Sequence, residues 1–88
     1  MTIKVHLSSH VRSYTAGKPM VEAEGGTLKD LMTDLERRHP GLRFRVIDEQ
    51  DRIRPHMNFF VGGVLVRDLG HPIAPGEAVH ILGALSGG

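Results

Sequence analysis

The stretch GGTLKDLMTDLERRHPG, residues 25–41, limits the fold more than any other part of the chain. Leu28, Leu31, Met32 and Leu35 recur at helical spacing and predict one apolar stripe. Thr27 and Asp30 have the spacing of a capping box, and Gly25-Gly26 breaks whatever precedes them. Arg37, Arg38 and His39 suit the negative end of the helix dipole, and Pro40-Gly41 stops the helix. The stripe, Met32 included, reads as core. No second long helix of this kind follows in the 88 residues, so the stripe has to be buried against something else.

That something is written in period two. In TIKVHLS, Ile3, Val5 and Leu7 alternate with Thr2, Lys4, His6 and Ser8. HVRSYTAGKP carries turn formers, and in MVEAE Val21 and Ala23 alternate with Glu22 and Glu24, so the two runs predict an N-terminal hairpin. After the helix, Leu42, Val46 and Ile47 line one short helical turn, Asp48 to Asp51 form a loop, and Ile53 is an anchor. HMNFFV then reads as a strand with Met57, Phe59 and Val61 on one side and Asn58 and Phe60 on the other. Gly62-Gly63 turns the chain into VLVR. Pro75-Gly76 fits the centre of a type II turn. In the last strand Val79 and Ile81 should point inward and Glu77, His80 and Leu82 outward. The expected fold class is α+β, with a helix laid across a mixed sheet whose last strand pairs with the first.

Other functional classes find little support. The absence of Cys leaves no disulfide and no thiolate metal site. A net charge of +1 makes no case for nucleic acid or membrane binding. Met1 to Leu7 is too short and polar for a signal peptide and no apolar run is long enough to span a membrane, so a cytoplasmic protein is expected. His6, His10, His39, His56, His71 and His80 show no metal-binding spacing. Nor is there a Ser-His-Asp context or a phosphate-cradling loop, and no catalytic residue of its own is expected. Six arginines between Arg37 and Arg54 face only Asp48, Glu49 and Asp51. A solvated face is the default for that run, and a groove for an acidic partner is the alternative.

The end of the chain, HILGALSGG, remains. A strand running directly into a terminal diglycine is unusual, and Ala84 and Leu85 argue against a merely frayed end. The order of elements, the PGE-x-V-x-I approach to the last strand and Gly87-Gly88 together resemble the ubiquitin-like β-grasp sulfur carriers. These include the small subunit of molybdopterin synthase (MoaD), the thiamine-pathway carrier (ThiS) and amino-acid-biosynthesis relatives. The likeness covers essentially the whole chain, and RPHMNFFVGGVLVRDLGHPIAPGEAVHILGALSGG carries most of it. One departure is Gly62-Gly63-Val64-Leu65, where many relatives have Asn-Gly and an acidic residue.

The resemblance implies a β-grasp domain over 1–82, with four to five strands and one main helix, and a flexible tail over 83–88. It implies that Gly88 is adenylated by an E1-like enzyme using ATP and Mg, then converted by a sulfur donor to a thiocarboxylate. Leu85, Ser86 and Gly87 would thread the partner's active site, and the chain itself would bind no cofactor or metal. A downstream sulfur-accepting enzyme would consume the sulfur, and the length favours a molybdopterin-type or cysteine-type carrier. Phe60, His80 and Leu82, outward on neighbouring strands, are the expected docking patch, unless the 42–54 segment covers them. Two alternatives stay open: a ubiquitin-like modifier conjugated through Gly88, and a non-covalent interaction module using the Phe60/Leu82 face.

Overall fold

The computed structural model describes residues 2–83. Five strands form one mixed sheet: β1 (Ile3–Leu7), β2 (Met20–Ala23), β3 (Met57–Val61), β4 (Val64–Val66) and β5 (Val79–Gly83). Their order across the sheet is β2-β1-β5-β3-β4. β1 and β5 run parallel, placing the last strand beside the first, and every other pair is antiparallel. Helix α1 (Leu28–Arg38) supplies the expected stripe: Leu28, Leu31, Met32 and Leu35 are all buried. They meet Val5, Leu7, Phe59, Val79 and Ile81 in one core.

The cap is where the spacing puts it. Thr27 Oγ1 accepts from the Asp30 amide at 3.2 Å, which relieves one of the unpaired donors of the first turn. At the other end Gly41 takes φ +96, a conformation suited to glycine, and opens the short helix α2 (Leu42–Val46). Leu42, Val46, Ile47 and Ile53 are buried in the same core. The 42–54 segment therefore packs on the helix side of the sheet and leaves the opposite face uncovered.

Three details differ from the sequence reading. Residues taken as a turn-rich loop form a 3₁₀ helix, Ser9–Thr15, with Val11 and Thr15 buried. The Thr15 hydroxyl lies 3.1 and 2.9 Å from the carbonyl oxygens of Arg12 and Lys18, so an otherwise short-lived turn is held from both ends. Second, Glu77 lies before the last strand. Glu77 N donates to Ala74 O across the Pro75-Gly76 turn, in which Gly76 has φ +88, and Ala74 N donates back to Glu77 Oε1. Third, β5 extends through Gly83, a residue assigned to the tail, because Gly83 pairs with Met57.

Candidate functional site

The uncovered face of the sheet is built from the positions that alternate with the core. Register fixes its central row. Met20 lies opposite His6, His6 beside His80, His80 opposite Phe60 and Phe60 opposite Leu65, so one row crosses all five strands. His6 and His80 stack with ring centroids 4.5 Å apart and planes 13° from parallel. Phe60 and His80 are half-buried, whereas Met20, Leu65 and Leu82 are 37, 53 and 38% exposed. Leu82 sits opposite Asn58, two residues further along β5 on the same face. Phe60, His80 and Leu82 are thus brought together on two neighbouring strands. Met20, His6 and Leu65 were missed, because their place in the row depends on pairing that no local pattern reveals.

The row passes close to the root of the tail, since its central member His80 lies on β5, the strand that ends at Gly83. Gly83 N donates to Ser8 Oγ at 2.9 Å, and Ser8 N donates to Ile81 O at 3.0 Å, so the loop after β1 grips the end of β5. His10 closes over the same point. A Cβ added at Gly83 would come within 2.9 Å of His10 Nδ1 and 3.1 Å of its Cβ and Cγ. Only a glycine fits there without moving the imidazole. Leu85, Ser86, Gly87 and Gly88, the expected tail site, lie outside the described residues.

The model of the ThiS family matches residues 5–88, almost the whole chain. The chain belongs to the ThiS family. The sulfur carrier protein CysO of Mycobacterium tuberculosis is 33% identical over 93 residues, spanning all of both chains. Its crystal structure superposes with a TM-score of 0.88 at 31% identity, covering 94% of this chain and 99% of that one. A chain of the Amycolatopsis orientalis BexX/CysO complex gives 0.90 at 30% identity, with 98% and 99% covered. The molybdopterin converting factor subunit 1 of Pyrococcus furiosus shares the fold, with a TM-score of 0.67 at 22% identity over 97% and 99%.

This ThiS-family chain therefore has the ubiquitin-like β-grasp of a sulfur carrier, with an apolar and histidine-bearing sheet face beside its tail root. Its β3–β4 turn, Gly62-Gly63, has a tight geometry. Gly62 and Gly63 have φ +57 and +86, as a two-residue type I′ hairpin requires. Gly62 is also closely approached by the Glu77 carboxylate, which would have to shift to admit a Cβ. Among the described residues no three His, Asp or Glu side chains gather in a way that could hold a metal ion. No helix among them is long and apolar enough to cross a membrane.

Proposed function

We propose that this ThiS-family sulfur carrier works through a thiocarboxylate on Gly88 and belongs to the cysteine type rather than the molybdopterin type. One observation carries the reading: the alignment with CysO, at 33% identity, spans the entire chain and so takes in Gly87-Gly88. The molybdopterin-type relative shares the fold alone.

The chemistry follows from the carboxyl group. With a pKa near ~3.5 it is an anion at neutral pH and a poor electrophile, so it needs activation. An E1-like enzyme would supply MgATP: a Gly88 oxygen attacks the α-phosphorus and pyrophosphate leaves. Sulfide from a donor then attacks the acyl carbon and AMP leaves, giving the thiocarboxylate. Its sulfur is the nucleophile that a downstream enzyme directs at an acceptor. The chain contributes no acid, base or metal to these steps and is a carrier rather than an enzyme. Its task is presentation, in the cytoplasm where such partners reside. Gly87 and Gly88, lacking Cβ atoms, let the main chain approach the nucleotide closely. Leu85 and Ser86 line the threading segment, and Phe60, His80 and Leu82 dock the enzyme. The Amycolatopsis relative is itself found in a complex with BexX, which supports docking to a partner protein.

The test is the intact mass after incubation with the host's E1-like enzyme, MgATP and a sulfide source. The expected result is a shift equal to replacing one oxygen by sulfur, mapped to the C-terminal peptide and lost in Gly88 deletion. An unchanged mass, beside a control carrier that is converted, would overturn the reading.

A further inference from the structure

The six arginines between Arg37 and Arg54 divide into two groups. Arg37 and Arg38 pair with Asp34, Arg43 with Asp51 and Arg52 with Asp48, at 2.6 to 3.5 Å. Arg45 and Arg54 have no carboxylate within ion-pair distance among the described residues; Arg54 exerts only a weak through-space pull on Asp48.

These two side chains converge on one open cleft of about 350 Å³, lined by Tyr14, Phe44, Arg45, Arg54 and His56. The cleft is held in shape by its own contacts. The Arg54 guanidinium lies 4.7 Å from the centroid of the Phe44 ring, and its Nε donates to Phe44 O at 2.9 Å. Arg45 Nη1 is 3.4 Å from His56 Nε2. A Cβ on Gly41 would lie 3.0 Å from the Tyr14 ring, so that ring is seated against the start of α2. Phe44 is nonetheless 58% exposed and Tyr14 37%. Two cations without counter-charge and two exposed rings share a pocket that holds no acid.

Its position gives it a use. His56 directly precedes Met57, which pairs with Gly83, the root of the tail. Tyr14 belongs to the 3₁₀ helix whose His10 covers Gly83. The cleft therefore opens at the end of the molecule where the tail departs, on different elements from the Met20–Leu65 row.

We propose that the Tyr14/Phe44/Arg45/Arg54 cleft is a second docking surface, receiving an acidic peptide segment of the enzyme that takes the tail. Charge complementarity selects the chemistry: a carboxylate there satisfies Arg45 and Arg54, and its stem packs on the two rings. The occupant named here rests on the carrier reading above. Charged groups at the rim of an interface act mainly on encounter rate and salt dependence.

The experiment measures thiocarboxylate formation on the host's E1-like enzyme at several salt concentrations, with Arg45→Glu, Arg45→Gln and the paired-face control Arg52→Glu. Thermal melts confirm that each variant folds. Arg45→Glu should raise KM for the carrier by about five- to tenfold at low salt, with kcat unchanged and a shallower salt dependence. Arg45→Gln should shift KM in the same direction by less, and Arg52→Glu should match wild type. Should Arg45→Glu misfold, Arg45→Gln alone decides by the same readout. Unchanged KM and salt slope in the folded Arg45 variants, or an equal effect from Arg52→Glu, would overturn the proposal. Failure of the wild type to react would instead overturn the carrier reading. As a direct probe, a tetraglutamate peptide should shift the amide NMR signals of residues 44–46 and of Arg54 and His56. Equal shifts with inorganic phosphate would show a general anion site and sink the acidic-peptide assignment.

Discussion

At the scale of single residues, Asp34 has the clearest consequence. The amide of Glu24 donates to its Oδ2 at 2.9 Å, and Arg37 and Arg38 hold its two oxygens, so one carboxylate ties the end of β2 to α1. The Glu24 amide, followed by the Arg37 guanidinium, lowers its pKa from 3.8 to about 2. A carboxyl whose folded pKa is depressed contributes stability that is present above its unfolded value and lost as pH falls through the folded one. Here the window runs from about 3.8 down to about 2. Asp34→Asn is therefore expected to melt below wild type at pH 7, with the gap closing by pH 2. Thermal melts across that range check it, and a gap independent of pH would contradict it. None of this was legible in the sequence, where Asp34 is one polar residue on a solvated helix face.

At the scale of elements, legibility followed the range of the forces involved. Helix α1 could be read to its cap because stripe, cap and stop all lie within seventeen residues of sequence. Strands β3 and β5 could be read because each has one buried and one outward face. The 3₁₀ helix could not. Its residues carry no helical stripe, and what orders them is tertiary: Val11 enters the core, and Arg12 Nε donates to Leu7 O at 3.0 Å. The outward row was half legible for the same reason, since alternation gives the face but pairing gives the neighbours. If tertiary burial is what holds the 3₁₀ helix, Val11→Ala should cost about 1–3 kcal/mol, mostly from the cavity it leaves. A urea titration measures that cost, and hydrogen exchange should show faster opening at Gly17, whose amide donates to Arg12 O, than in α1. A cost within about 0.5 kcal/mol, the range for ordinary surface changes, would mean the helix is held locally after all.

For the whole molecule, the tail root is flanked by two surfaces of different physics. The Met20–Leu65 row on the open sheet face is mainly apolar with a histidine pair, while the Arg45/Arg54 cleft is cationic and aromatic. Binding through apolar contact is governed by area removed from water, which salt does not screen, whereas exposed charges lose their attraction beyond roughly 8–10 Å at physiological ionic strength. The two surfaces should therefore separate on one titration. Leu82→Asn, at a residue 38% exposed, removes apolar contact next to the row without leaving a buried polar group. It is expected to weaken the E1-like enzyme's use of the carrier by about three- to tenfold through KM, equally at low and high salt. Its melting temperature should stay close to wild type, since the side chain supports no core contact. A Leu82→Asn defect that vanished at high salt would mean that the sheet face acts through charge rather than apolar contact. No defect at any salt would move docking off the sheet face altogether, leaving the cationic cleft and the tail to hold the partner between them.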